Sequence, residues 1–175
     1  MPIRFNMLLR DEGIDPSDVR LLRHQTVRNS NRTPYTLWRD NLADFEKYQS
    51  MQLASRRSFF NGRYWASFVA PPSGGTLFIG MFEASLIGPV LEGTTDPLTG
   101  GLVGDCDQYD CRRIEALSDY IGRVSIHWGD SSSASRAWTQ RADNQDKLII
   151  ELTRAFREEA FPGFTRLIRP LLLGM

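Results

Sequence analysis

Up to about residue 60 the apolar positions of this chain recur at helical spacing, and from Gly62 onward they recur at every second residue. In the first part, "GIDPSDVRLLRHQ" reads as a helix start. Asp15 is its N-cap, Pro16 its first residue and Asp18 an acid in its first turn, with Ile14 and Val19 at hydrophobic-staple spacing. Arg20, Arg23 and His24 gather toward its expected C-terminal end, where they suit the helix dipole. Thr33-Pro34 opens a second helical turn. Asn41 caps a third helix, "LADFEKYQSMQ", with Leu42, Phe45 and Gln49/Gln52 on one face.

"RYWASFV" and "TLFIGMF" then read as two strands joined by a Pro-Pro-Ser-Gly-Gly turn that forbids a helix. Alternation puts Tyr64, Ala66 and Phe68 on one face of the first strand and Trp65, Ser67 and Val69 on the other. Residues 86–111, rich in glycine and acids, predict a long loop ending in a short strand. A further strand is expected at 123–128, a flexible insert at "SSSAS", and a final helix at "FPGFTRLIRPLLL". The expected architecture is α+β: a helical N-terminal part over 1–60, a small twisted, mostly β core or open barrel over 62–157, and a C-terminal helix. No repeat or second domain interrupts residues 1–175.

Composition changes this picture little. The chain has 175 residues, 41% hydrophobic and 24% charged, as ordinary globular domains do. It lacks an apolar run of membrane-spanning length, and "MPIRFNMLLRDEG" has no signal-peptide core, so a cytoplasmic protein without a membrane partner is expected. The zero net charge conceals a gradient. Residues 1–70 carry 11 Lys/Arg against 7 Asp/Glu, residues 71–122 carry 2 against 8, and residues 123–175 carry 8 against 6. All but Lys47 and Lys147 of the basic residues are arginines, whose planar fork suits phosphate, although a GC-rich genome would give the same bias.

Motifs for catalysis are poorly supported. "YIG" at Tyr120–Gly122 lacks the upstream strand of a GIY-YIG nuclease, and "DNQDKLIIEL" lacks the strand-borne aspartate of a metal-dependent nuclease core. Cys106 and Cys111, one Cys-x4-Cys with His127 distant, fall short of a zinc site. No enzyme activity, cofactor or metal is expected of this chain.

The aromatic residues offer more. A flipped or single-stranded base is held by stacking on aromatic faces, worth about 1–3 kcal/mol per base. Trp65 and Trp128 sit on predicted strands beside Gly or Ser loops, whereas Trp38 and Trp138 read as structural. For any single tryptophan, core packing is the commoner use.

The order of these pieces carries a resemblance. "YWASFVAPPSG" resembles the segment of YTH domains that supplies the first wall of their methyladenine cage. "TLFIGMFEAS" is similar to their next strand, "RVSIHWGD" to the strand ending in the second cage tryptophan, and "QRADNQDKLIIELTR" to the following loop. Together these suggest the PUA-like superfamily, which includes YTH, EVE, ASCH and SRA domains. "FNMLLRDEGIDPSDVRLLRHQ", "TPYTLWRD" and "FPGF" also resemble the N-terminal region of bacterial GIY-YIG nuclease-family proteins, whose nuclease domain lies further downstream.

The resemblance implies a DNA-binding, non-catalytic reader of a modified, chiefly methylated, base in a modification-dependent restriction system. Trp65 and Trp128 would sandwich the base, with Ser67, Asn144 and Asp146 shaping the site. Arg63, Arg141, Lys147 and Arg154 would contact the nucleic-acid backbone. Ala66 stands where the YTH pattern has a serine, and Ala155 where it has an aspartate. The alternatives are an RNA-binding YTH-like reader and a protein-interaction domain whose aromatics are all core.

Overall fold

The structure, a computed structural model, describes residues 3–25, 32–72, 75–129, 139–144 and 146–151. The expected C-terminal helix, the "SSSAS" insert, Trp138 and Arg154 lie outside the described residues. Within them the fold is α+β, built on one mostly β sheet curled into a half-barrel.

Helix α1 (Phe5–Asp11) comes first. The predicted helix at Asp15 does not follow. Asp15 does accept from the Ser17 N–H at 2.9 Å, but only a single 3-10 turn (Pro16–Asp18) results. The chain then enters strand β1 (Val19–His24). The competing force is non-local, because β1 pairs in parallel with strand β3 (Tyr64–Val69) along its whole length. A parallel partner needs a long crossover, and helices α2 (Pro34–Asp40) and α3 (Leu42–Gln49) supply it. Both begin where their caps predict. Thr33 closes a reciprocal capping box with Thr36, and the Asn41 side chain accepts from the Asp44 N–H at 3.1 Å.

Strand β2 (Met51–Leu53) and a 3-10 stretch (Ala54–Phe60) lead into β3, which turns back into strand β4 (Leu77–Pro89). β4 is far longer than the apolar run suggests. Its first half pairs with β3, and its second half pairs with strand β5 (Cys106–Ile114). The predicted 86–111 loop therefore shrinks to about the segment between these strands. Strands β6 (Val124–Ile126), β7 (Thr139–Arg141) and β8 (Ile149–Glu151) complete the sheet. Its order is β2-β5-β4-β3-β1-β7, with β6 joining β4 to β8. β7 and β8, close in sequence, belong to remote parts of the sheet.

Alternation sorts most of the core as predicted, but Val69, expected on the Trp65 face, belongs to the main cluster. Ala66 and Phe68 join the main cluster with Leu21, Phe78 and Phe5, while Trp65 falls into a second cluster with Leu22, Phe60, Phe82 and Tyr109. Phe5 locks α1 onto the main face, its ring 5.6 Å from Phe68 and 5.7 Å from Phe78. No helix among the described residues is long and apolar enough to cross a membrane.

Candidate nucleic-acid interface

Trp65 points as the alternation predicts, but no opening waits there. It is 0% exposed, its ring 4.9 Å from Tyr109 and 5.8 Å from Phe60, and its Nε1 donates to the Phe60 carbonyl at 3.3 Å. Ser67, two residues on, is equally enclosed. Its hydroxyl donates to the side-chain oxygen of Gln49, which also lies 3.0 Å from His24 Nε2. The Gln49 amide nitrogen reaches Cys111 Sγ at 3.5 Å. Burial drives the pKa of His24 down to about 4 and that of Cys111 up to about 12, so both are neutral near pH 7. Trp65 and Ser67 belong to a closed interior in which every polar atom of Gln49 is committed.

Trp128 follows β6 and packs on the other face, edge-on to Phe68 at 6.1 Å. It is 4% exposed. Two cations converge on its ring, the Arg23 guanidinium at 4.9 Å and Lys147 Nζ at 5.5 Å. Lys147 Nζ also donates to the Trp128 carbonyl at 2.7 Å. Arg23 donates to the Gln25 side-chain oxygen at 2.7 Å in the amide orientation that satisfies both groups. Burial lowers the pKa of each cation, and Arg23 lowers that of Lys147 further. The expected Trp65–Trp128 sandwich is thus absent from this fold: the two rings lie on opposite faces of the sheet, in separate clusters.

The turn after β7 is equally specific. Arg141 forms a two-pronged ion pair with Asp143, at 3.0 and 2.8 Å, and stands directly opposite Arg20 on β1. The pKa of Arg20 is lowered by burial and then by Arg141, and Asp143 partly offsets this. Asn144 is exposed at the tip of the turn. Asp146 faces inward instead of toward a base. Its carboxylate accepts from the backbone N–H of Asn6 at 3.1 Å, serving the first turn of α1 where Arg4 offers no side-chain cap. Lys147 is 4% exposed and its ammonium is taken up by Trp128, which removes it from the phosphate-contact set in this conformation. Arg63 is exposed, 3.8 Å from Glu83 and stacked over Tyr64.

The sequence places Arg20 and Arg23 at the end of an expected helix, and a helical reading of 19–24 scrambles which side chains share a face. The run Val19, Leu21, Arg23 has the period of a strand and would have set Arg23 on the Trp128 side. The "YIG" tripeptide occupies a turn, with Gly122 at φ +71°, where a glycine is favoured. Among the described residues no group of three His, Cys, Asp or Glu side chains is disposed to hold a metal ion.

What the arrangement offers chemically is a tryptophan ring with two cations over it, Arg23 and Lys147, and on the opposite face of the β1–β7 edge an arginine pair, Arg20 and Arg141. Comparison of the chain with protein-family models, with curated proteins and with solved structures gives no match.

Proposed function

We propose that this chain is a PUA-like, non-catalytic nucleic-acid reader that stacks a modified base of DNA on Trp128 beside Arg23, and that Arg20 and Arg141, on the other face of the β1–β7 edge, hold backbone phosphate. The observation that carries the reading is the Arg23 guanidinium lying over the Trp128 ring, 4.9 Å from its centroid; on the other face of the same edge, Arg20 stands directly opposite Arg141. Like charges directly opposite on neighbouring strands are destabilising. A phosphate between them turns that cost into two charge-assisted hydrogen bonds. In the ligand-free chain Arg23 takes the stacking position on Trp128, and a flat base offers the ring an equivalent partner. The curled half-barrel is compatible with a PUA-like barrel. The wider role proposed is that of a cytoplasmic specificity module directing a GIY-YIG nuclease domain to modified DNA.

The reading is tested with duplexes identical except for one base, carrying 5-methylcytosine, 5-hydroxymethylcytosine, N6-methyladenine or no modification. At least one modified duplex binds more tightly than the unmodified one, and Trp128→Ala erases the difference. Equal affinity for all four defeats it. A single-stranded RNA bound better than any of them moves the assignment to an RNA reader. The burial of both Trp65 and Trp128 favours a second reading, a protein-interaction domain whose aromatics are all core. That reading requires no nucleic acid to perturb Trp128 fluorescence at low salt.

A further inference from the structure

Asn6 is the second residue of α1 and is 4% exposed, an unusual station for a side chain that favours turns and caps. Both of its donors leave the helix for the β7–β8 turn. Its backbone N–H reaches the Asp146 carboxylate, and its Nδ2 donates to the Ala142 carbonyl at 2.7 Å. The residue before it continues the grip, because the Phe5 N–H donates to the Lys147 carbonyl at 2.8 Å. Beyond that, Arg4 bridges Leu148, and the Ile149 N–H donates to Ile3. Ala142 and the run Asp146–Ile149 are thus tied to residues 3–6.

Lys147 then passes the constraint on. Its backbone is fixed by Phe5 and its ammonium by the carbonyl of Trp128, 19 residues earlier in the chain. The Gln140 amide, from β7, reaches the same carbonyl at 3.5 Å. We propose that Asn6 is a positioning residue for base stacking: it ties Ala142 and Asp146 to α1 and, through the adjoining Lys147, sets the ring of Trp128. This rests on the reader function proposed above. Lys147 on this account is an internal strut between α1 and Trp128 and touches no phosphate.

The test is a double-mutant cycle on duplex binding. Wild type, Asn6→Ala, Lys147→Met and the double variant are titrated with modified and unmodified duplexes over a range of salt concentrations. Each single variant should lower the modified-to-unmodified affinity ratio about tenfold, a size usual for coupled residues. The double variant should do no worse than either single one. The slope of log affinity against log salt should not change in any of them, because no phosphate contact is removed.

Losses that multiply in the double variant, or discrimination that survives Asn6→Ala, overturn the inference while leaving the reader intact. A salt slope shallower by about one in Lys147→Met also overturns it, since Lys147 would then be a backbone contact. Equal wild-type affinity for both duplexes overturns the reader function itself, and this inference with it. Should Asn6→Ala not reach a folded baseline, Asn6→Ser replaces it. The indole N–H resonance of Trp128 in the ligand-free chain must then move in the same direction as in Lys147→Met, and an unmoved resonance counts against the proposal.

Discussion

Trp65 and Trp128 face away from each other across one sheet: Trp65 packs tilted against Tyr109 on one side, and Trp128 lies edge-on to Phe68 on the other. A base cannot be sandwiched between rings separated by the sheet, so the expected two-tryptophan cage does not form in this fold. Trp65 is an interior side chain whose indole N–H is satisfied by Phe60.

Replacing Trp65 by Ala should therefore act on stability first. Removing a fully buried tryptophan costs about 3–5 kcal/mol, from lost transfer energy and the cavity left behind. In a urea titration the midpoint should fall sharply with the slope unchanged. Trp65→Phe, which keeps a ring against Tyr109 and loses only the Phe60 hydrogen bond, should cost less. The fraction that remains folded should still discriminate modified from unmodified duplex. Lost discrimination at undiminished stability would return Trp65 to the site.

His24 makes stability depend on pH. Burial drops its pKa from 6.5 to about 4 in the fold, so the folded chain holds it neutral. The unfolded chain binds a proton there over that interval and the folded chain does not, and stability falls as pH falls. The contribution is complete above pH 6.5 and is lost progressively between 6.5 and about 4. At about 1.4 kcal/mol per unit this amounts to roughly 3 kcal/mol. His24→Gln places an amide donor near the same Gln49 oxygen without a titrating group. Urea midpoints measured from pH 7.5 to 4.5 should slope less steeply in that variant, and parallel curves would refute the assignment.

The parts of this fold that the sequence makes legible are those decided within a few residues. Thr33 and Asn41 cap α2 and α3 with their own side chains, and the β3–β4 hairpin announces itself by alternation and a Pro/Gly turn. β1 is opaque for a physical reason. Asp15-Pro16-Ser17-Asp18 starts a helical turn whether or not a helix follows, and "VRLLRH" fits either period. Parallel pairing with β3, more than forty residues away, decides it. The site divides in the same way. The direction of Trp65 follows from period two, but Phe60 and Tyr109, which close that side, arrive from other strands and turns. Asp146 has the chemistry of a site residue, and only the fold reveals that it faces α1.

Gly80 should resist substitution for two reasons. Its φ of +143° is strained for any residue with a side chain, and an added Cβ would meet Arg113 Nη1 at 2.9 Å. The Arg113 guanidinium is held from several sides: it donates to the Ile79 carbonyl at 3.1 Å, pairs with Glu46 at 3.3 Å and lies over the Phe82 ring at 5.0 Å. Gly80→Ala should push it off the sheet and destabilise by about 1–3 kcal/mol. Adding Arg113→Ala to Gly80→Ala relieves the clash but keeps the backbone strain. The double variant should therefore lose less than the sum of the two single losses, and strict additivity would show that the contact does not matter.

The β1–β7 edge allows stability and binding to be separated. Arg141 is an exposed residue whose pairing with Asp143 is confined to the surface, and it adds to the repulsion on Arg20. Surface ion pairs contribute little, so Arg141→Gln should leave the melting temperature essentially unchanged. Polyanion affinity should nevertheless fall uniformly across sequences, and the salt slope should become shallower by about one, the mark of one lost phosphate contact. Arg63→Gln, which alters an exposed arginine beside Glu83 and Tyr64, provides the contrast. If the two variants change the slope equally, binding is spread over the basic surface and the β1–β7 edge has no special role. If only Arg141→Gln changes it, the β1–β7 edge carries a phosphate contact that the rest of the basic surface does not.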